Sequence, residues 1–342
     1  METIEKFTPQ NENGKIIKLT TEAECLQYFD QDNFKQLNDN LPGNQKITDY
    51  LPFYAEYLDT DTFVVDKDLV FSGIPQIINC KTLEFNGGSI TSFVQLTINA
   101  AATSLVSPST TKNYQILVTG SPGNAGGNGS AGGSGTNGPD GQSKSCDEGL
   151  PGSNGGTGDP GQEAKSGQNG GSTPLSSLNL GSIQLGGSAL LTVLAQGGNG
   201  GNGGTGGTGG NGGSGGNGGN ATSTGCTCYN NGGNGGAGGT GGKGGKGGDA
   251  GNGSSNNQVM TINLATKADK GNLSTSMVAG SAGQPGAGGQ GGAGGSGGSG
   301  GSGTKHGHDG SSGAGGAKGS VGGNGSGGSN GSMPQINVTV NS

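Results

Sequence analysis

The chain lacks several of the components from which globular proteins are built. It has no tryptophan, and only 26% of its 342 residues are hydrophobic and 4% aromatic. Such a chain cannot bury an ordinary hydrophobic core along its whole length. Its 12 prolines are also too few for collagen, whose Gly-X-Y repeat is rich in proline. These absences leave disorder or a fibrous architecture for most of the chain.

Positive charge is also scarce and unevenly placed. There is no arginine, and residues 1–70 hold 14 acidic residues against 6 lysines, a net charge of -8. The remainder holds 9 acidic residues against 10 lysines, a net charge of +1. A nucleic-acid-binding protein needs a basic surface, and no basic stripe is present. Nucleic acid is therefore not an expected partner.

Long apolar runs are missing as well. No stretch of 18 apolar residues is present, and residues 1–25 show no basic segment followed by an apolar one. We therefore expect neither membrane insertion nor a secretory signal. The five cysteines are odd in number and scattered, which favours synthesis in a reducing compartment.

Glycine dominates what is present, with 85 residues, many of which follow a strict frame. Glycine falls on every third residue in six segments of eight triplets each, interrupted only by Ala164 and Ala250. We call these segments arms 1 to 6; they span 120–141, 149–170, 197–218, 232–253, 280–301 and 310–331. Neither such a frame nor six arms of equal length is expected of a random coil.

A period of three residues is that of the polyglycine-II or polyproline-II helix. Glycine at every third position leaves one stripe without side chains, so that neighbouring helices can approach closely. This helix has no internal hydrogen bonds, so adjacent arms or water must satisfy its backbone groups. At about 3.1 Å per residue, 24 residues span roughly 74 Å. Arms 3 and 4 have the pattern Gly-Gly-X, which predicts that these two arms, the middle pair in the chain, are the most interior.

Apolar segments of strand-like pattern precede and separate the arms. Ile98-Asn99 is echoed by Leu178-Asn179-Leu180, Ile262-Asn263-Leu264 and Ile336-Asn337-Val338, with asparagine spacings of 80, 84 and 74 residues. This internal repeat indicates a chain that leaves a β base and returns to it three times. At the N-terminus, Thr21 and Glu24 fit a capping box before a helix at about 22–37.

Together these patterns predict a mainly irregular and β fold. It consists of a bundle of six antiparallel polyglycine-II helices, as three hairpins, on a small β-rich base that is solenoid-like or a sheet, with a short α-containing N-terminal region. The expected divisions are an attachment region with one helix at 1–60, a β-rich base at 61–119, hairpins at 120–172, 197–255 and 280–332, β returns at 173–196 and 256–279, and a C-terminal strand at 333–342.

The three segments that join paired arms contain chemistry that the arms lack. We call them tips 1, 2 and 3; they span 144–148, 221–231 and 304–309. Both histidines, three of the five cysteines and the only aromatic residue after Tyr114 lie there. Equal arms would gather the tips at one end, as a binding surface requires. The candidate binding residues are Lys144, Ser145, Cys146, Asp147, Glu148, Thr224, Cys226, Thr227, Cys228, Tyr229, Asn230, Thr304, Lys305, His306, His308 and Asp309.

Catalysis is not expected of these residues. No nucleophile, base and acid are arranged as in a catalytic site, and no cofactor motif has its required strand-to-helix context. His306 and His308 are weak metal candidates, since one chain supplies too few ligands, and a solvated turn is the alternative. The tip cysteines are open to a disulfide, to free thiols or to other crosslinks, whereas Cys25 and Cys80 are expected to pack as small hydrophobic residues.

The triplet glycine arms with polar or aromatic tips resemble the polyglycine-II adhesins at the tips of long tail fibres in T-even-type bacteriophages. The resemblance covers about residues 120–332. It implies a virion protein made in the host cytoplasm, attached to a fibre or baseplate protein through its N-terminal region. Tips 144–148, 221–231 and 304–309 would then be the loops that bind a host cell-surface receptor, either a protein or a glycan.

Two other functions fit the same sequence. A structural, self-assembling fibre or surface protein would stack exposed arms or apolar strands such as Gln335–Val340 between subunits, as an extracellular surface or filament and possibly as a homo-oligomer. An ice-binding protein is the third, because springtail antifreeze proteins are similar in being small polyglycine-II bundles. It would need a flat face of small residues, and the Asn, Lys, Asp and Gln at the X positions argue against one.

Overall fold

The computed structural model describes residues 9–11, 13–28, 46, 49, 51–224 and 229–341. Within them the chain is mainly β and irregular, with fourteen strands and two short helices. The helices are α1 Glu22–Tyr28 and α2 Lys267–Gly271. The strands are β1 Lys15–Leu19, β2 Phe53–Val65, β3 Leu69–Phe71, β4 Gln76–Asn86, β5 Ile90–Ser92, β6 Leu96–Ser107, β7 Ile116–Thr119, β8 Lys144–Ser145, β9 Ser176–Leu185, β10 Leu191–Gln196, β11 Ala221–Thr222, β12 Val259–Leu264, β13 Leu273–Val278 and β14 Gln335–Val340. Neither helix is long and apolar enough to cross a membrane.

The base of the molecule consists of two sheets between which the chain alternates. One sheet has the order β1-β2-β4-β6-β9-β12-β14, and the other has the order β13-β10-β7-β5-β3. Every pair is parallel except β1 with β2. β2, β4 and β6 follow one another at 20 residues, as Glu56 pairs with Gln76 and Gln76 with Leu96. The base is therefore rich in β structure, with mostly parallel strands that the chain adds alternately to the two sheets.

The hydrophobic core of the base lies between these two sheets. It combines Leu, Ile, Val and Phe side chains of β2 to β7 with those of β9, β10 and β12, and Phe71, Phe85, Ile90 and Ile98 are almost fully buried in it. A smaller cluster at the N-terminal end joins Leu19 and Cys25 to Ala55 and Ile77. The hydrophobic residues that this chain has are therefore concentrated in the base.

The six glycine arms contain neither helix nor strand in the described structure, yet each continues a strand of the base. Arms 1, 3 and 5 follow β7, β10 and β13, and arms 2, 4 and 6 lead into β9, β12 and β14. The hydrogen-bond pattern also continues without a break. The N–H of Gly120 donates to Gln196 O at 3.0 Å where β7 and β10 end. Arms 1, 3 and 5 thus form one row that continues the five-stranded sheet. Arms 2, 4 and 6 form a second row that continues the seven-stranded sheet.

Backbone hydrogen bonds fix the lateral order of the arms. Within a row the arms run parallel: Gly132 N donates to Thr208 O at 2.8 Å, and Gly209 N donates to Gln290 O at 2.8 Å. Between rows they run antiparallel, as Gly210 N donates to Asp159 O at 2.8 Å. Arm 3 bonds to arms 1, 2, 4 and 5, and arm 4 bonds to arms 2, 3, 5 and 6. Arms 3 and 4 are therefore the interior arms, as their glycine density predicts.

Close approach of neighbouring backbones explains the two glycines of each Gly-Gly-X triplet in arms 3 and 4. A Cβ atom added to Gly200 would lie under 3.0 Å from the Gly251 carbonyl, and one added to Gly201 would lie as close to the Asn124 carbonyl. The first carbonyl belongs to arm 4 and the second to arm 1. An interior arm therefore needs bare positions on two sides, because backbone atoms cannot yield to a side chain as flexible side chains do.

Many asparagines at the X positions bind the neighbouring arm. Asn128 Oδ1 accepts from Thr205 N at 2.8 Å, while Thr205 O accepts from Gly129 N at 2.8 Å. The same arrangement recurs where Asn or Asp directly precedes a glycine of the frame, as at Asn154 and Asn202, and also at Asp249, which precedes Ala250 of the frame. Backbone bonds donated by the frame glycines recur only every third residue. The Asn or Asp side chain provides an acceptor for a backbone N–H of the neighbouring arm, such as Thr205 N. Asparagine is thus a structural element of the bundle.

The N-terminal end of the base is covered by the segment before β2. β1 pairs antiparallel with the first five residues of β2, and α1 packs Cys25 onto the smaller cluster. Glu56 is buried and accepts hydrogen bonds from Gln10 N at 2.8 Å and Asn11 N at 2.7 Å. These contacts hold the N-terminal segment on β2. The capping box at Thr21 is formed, because Glu24 N donates to Thr21 Oγ1 at 3.2 Å and Thr21 N to Glu24 Oε2 at 3.1 Å.

Three details differ from the sequence-based expectations or extend them. α1 confirms the first part of the helix expected at 22–37, and residues 29–37 lie outside the described residues. β2 crosses the expected boundary between 60 and 61. In the repeat, Asn99 pairs with Asn179 and Asn179 with Asn263, but Asn337 pairs with Thr261. The third echo was therefore predicted two residues out of register.

Candidate functional site

The three tips lie side by side, with tip 2 in the middle. β8 of tip 1 pairs in parallel with β11 of tip 2, matching Lys144 with Ala221. On the other side, Asn230 N donates to Thr304 Oγ1 at 3.0 Å, and Thr304 N donates to Asn230 O at 3.0 Å. Segments that are about 80 residues apart in the chain thus form one continuous surface at the far end of the arms.

Tip 1 holds its shape through its neighbour and an unusual backbone conformation. Cys146 has a φ of 52°, in the left-handed region that residues other than glycine seldom adopt. Its N–H donates to Thr222 O at 2.8 Å, and its Sγ lies 3.8 Å from Thr224 Oγ1. Ser145 Oγ lies 3.3 Å from the same hydroxyl. Of the predicted residues, Ser145, Cys146 and Thr224 are therefore brought together.

Tip 2 and tip 3 present an exposed pair of rings. The centroids of Tyr229 and His306 are 5.0 Å apart, with 31° between the ring planes. Tyr229 is 70% exposed, the largest exposed fraction among the large hydrophobic residues of the described chain. An exposed aromatic ring held by a second ring offers a flat face on which a ligand can stack.

Beside the rings, the starts of arms 2, 4 and 6 line a shallow groove of about 340 Å³. Its polar side chains come from all three tips and include Glu148, Asn231, His308 and Asp309. His308 N donates to Asn231 Oδ1 at 2.9 Å, and Asn231 Nδ2 lies 3.5 Å from Glu148 Oε1. The groove offers carboxylate, amide and imidazole groups, which suits a ligand rich in hydroxyl or amine groups.

Some predicted site residues also have structural roles. Thr304 is buried and bonded to Asn230, so both residues join tip 2 to tip 3. Asp309 Oδ1 accepts from Gly303 N at 2.8 Å and closes the turn of tip 3. Lys144, Asp147 and Lys305 complete the charged residues of the surface, whose net charge is -1 with both histidines neutral. Cys226, Thr227 and Cys228 lie outside the described residues.

Asn231 and Asn234 also line the groove, although the sequence analysis did not include them among the candidate binding residues. The signal was available, because both asparagines directly precede a glycine of the frame at the start of arm 4. In the described ranges, no three His, Cys, Asp or Glu side chains are grouped so that they could hold a metal ion. Comparison with protein families, with curated proteins and with solved structures found no match to this chain.

Proposed function

We propose that the protein is a non-enzymatic adhesin that binds a host cell-surface receptor through its three tips. The observation that carries the proposal is the joining of three sequence-distant tips into one surface bearing the exposed Tyr229–His306 pair. The tips hold both histidines, and Tyr229 is the only aromatic residue after Tyr114. A turn that only reverses the chain requires none of these residues.

In this proposal the six arms are polyglycine-II helices that serve as a rigid spacer. The three-residue frame, the absence of helix and strand in the arms, and the backbone bonds that most frame glycines donate to a neighbouring arm all support this. A loop surface mounted on a rigid scaffold loses little conformational entropy on binding, which favours affinity. The protein would be a tail-fibre tip on a phage particle, attached to a fibre or baseplate protein through its N-terminal region.

The test is binding of the purified chain to a panel of bacterial cells. The variant Tyr229→Ala with His306→Ala removes the ring pair and leaves the hydrogen bonds between Asn230 and Thr304 in place. The matched control is Val70→Ala with Val106→Ala, which removes two exposed side chains from the base. We expect at least about tenfold weaker cell binding by the tip variant, since aromatic anchors carry much of an interface's binding energy.

The control variant should bind as the wild type does, and all three proteins should unfold at similar temperatures. Periodate treatment of the cells would abolish binding if the receptor is a glycan, and protease treatment would abolish it if the receptor is a protein. Equal binding by the tip variant and wild type, on cells that bind the wild type, would refute the assignment of the tips. Failure to bind any cell, with filaments seen by electron microscopy, would favour the structural alternative.

A further inference from the structure

On one side of the molecule, arms 5 and 6 are the last arms of their rows, and β13 and β14 are the last strands of the sheets that these rows continue. β13 is the terminal strand of the five-stranded sheet, and β14 is the terminal strand of the seven-stranded sheet. Arms 5 and 6 bond to each other and to arms 3 and 4 on one side only. We call this side the C-terminal edge. In the described part of the chain, nothing pairs with its outer backbone groups.

Charge is almost absent from the C-terminal edge. Residues 271–304 contain no charged side chain, and residues 310–341 contain only Lys318. Arms 1 and 2, at the opposite edge, carry Asp140, Asp159, Glu163 and Lys165. Proteins commonly protect open edges with charged residues, since an unprotected edge pairs with another chain. The opposite edge has this protection, and the C-terminal edge does not.

Apolar side chains are also uncovered along this edge. Met277, Val278 and Met333 are exposed, Met333 by 67%, where the base meets arms 5 and 6. The N–H of Gly331 donates to Gly280 O at 2.8 Å and brings these segments together. Ile336, Val338 and Val340 pack on the core as its last layer and remain only partly buried. An additional layer would cover all of these side chains.

The other end of the base cannot supply that layer without burying charge. There, β1 and α1 carry Lys15, Lys18, Glu22 and Glu24, and an exposed ion pair joins Lys81 to Asp61 at 2.8 Å. If uncharged residues covered these charged groups, the groups would lose their hydration and gain no partner in exchange, which is energetically unfavourable. The surface that best matches an uncharged, apolar edge is the same edge of a second molecule.

We propose that the C-terminal edge is the interface of a two-fold symmetric dimer of this chain. Contact of the same surface on both molecules closes the assembly at two copies. Continued growth into a filament would need the charged end and is not expected. The dimer places six tips on one particle and so permits simultaneous contact with two receptors.

The test is the mass of the full chain in solution, measured by sedimentation velocity and light scattering over a range of concentrations. We expect twice the mass of one chain for the wild type. Gln335→Lys with Asn337→Lys places lysines on the exposed face of β14, and across a two-fold axis these charges face their own copies. The dissociation constant should rise by at least about tenfold, because like charges at an interface are strongly unfavourable.

The matched control places the same charges on arm 2, as Thr157→Lys with Gln162→Lys, at two exposed positions. This control should remain dimeric. A wild-type monomer at all concentrations, open-ended filaments, or a Gln335→Lys/Asn337→Lys variant as dimeric as the control would each overturn the proposal. Because no cells are involved, these outcomes are independent of whether the tips bind a receptor. Slower amide exchange in β14 of the wild type than of the lysine variant would support the proposal even where the variant is less stable.

Discussion

The carbonyl oxygen of Gly245 lies under 3.0 Å from the position that a Cβ atom on Gly322 would occupy. Gly322 N also donates to Gly289 O at 2.9 Å, so Gly322 is closely packed against arms 4 and 5. The next residue, Gly323, is different, because nothing lies within 4 Å of the corresponding position. Two adjacent glycines of one arm thus differ in whether a side chain fits.

We predict that Gly322→Ala destabilises the protein and Gly323→Ala does not. Neither glycine has a positive φ, so alanine strains neither backbone, and only the available space differs. Overpacking should cost Gly322→Ala about 1–3 kcal/mol. Gly323→Ala should be neutral or slightly stabilising, since alanine restricts the unfolded chain. Melting temperature and the rate of limited proteolysis measure both. Equal stability of the two variants would contradict the assigned packing of arm 6.

The asparagine bonds between arms give a second prediction. Asn217 Oδ1 accepts from Ser299 N at 2.9 Å, and Asn217 N donates to Asp140 Oδ1 at 2.6 Å, which connects arms 1, 3 and 5. Asn217→Ala should lower the free energy of unfolding by about 1 kcal/mol, since one hydrogen bond is lost. Asn217→Asp keeps an acceptor oxygen and should lose less. Urea denaturation tests this, and identical losses for both variants would show that the side-chain acceptor does not matter.

Cysteine reactivity provides a third prediction. Burial raises the pKa of the Cys25 thiol to about 11 and that of the Cys80 thiol to about 11. Only the thiolate reacts readily with iodoacetamide, so both residues should resist alkylation in the folded protein at pH 8 and react in urea. Because the folded pKa exceeds the unfolded value, the stability linked to these thiols is complete below about pH 8.5 and lost as pH rises toward 11.

Mass spectrometry of the cysteine peptides at several alkylation times measures the protection directly. Labelling of Cys25 and Cys80 in buffer as fast as in urea would contradict their burial. The expectation that both pack as small hydrophobic residues is confirmed, since both are buried in the described structure.

Much of the base follows from short-range patterns, and its errors have a physical cause. Alternation in β14 repeats every two residues, so a shift by two leaves every apolar side chain on the core face. The pattern therefore could not distinguish pairing of Asn337 with Asn263 from the observed pairing with Thr261. α2 was missed although Thr266 and Asp269 are spaced as a capping box, because five residues are too few for a helical period.

The individual arms and the interior place of two of them were predictable, but which arm lies beside which was not. A three-residue frame gives the length of each arm and the number of bare positions, and hence the interior place of arms 3 and 4. The roles of Asn128 and Asn217 depend on which arm lies beside which, and that order follows from the base sheets that each arm continues. The tips were located by composition, whereas the contact of Tyr229 with His306 required the register of two arms.

The last prediction concerns Asp269, which joins α2 to β9 across 86 residues of sequence. Asp269 is 6% exposed; its Oδ1 accepts from Ile183 N at 2.8 Å, and its Oδ2 accepts from Thr266 N at 2.9 Å. Burial alone would raise the pKa of this carboxyl, but the hydrogen bonds from Thr266 and Ile183 outweigh burial and lower the pKa below its ordinary value. Asp269→Ala should lower the free energy of unfolding by about 2–4 kcal/mol at pH 7, because buried N–H and O–H donors lose a charged acceptor.

The pH dependence of that loss distinguishes a charged acceptor from simple packing. A carboxyl with a lowered folded pKa stabilises the protein above its unfolded pKa of about 3.9, and this contribution disappears as pH falls through the folded pKa. The stability difference between wild type and Asp269→Ala should therefore shrink between pH 5 and pH 2 in urea titrations. Lys267→Ala, an exposed change in the same helix, is the control and should cost little at any pH. A difference for Asp269→Ala that stays constant down to pH 2 would mean that the side chain acts through its shape, since its charge would then contribute nothing.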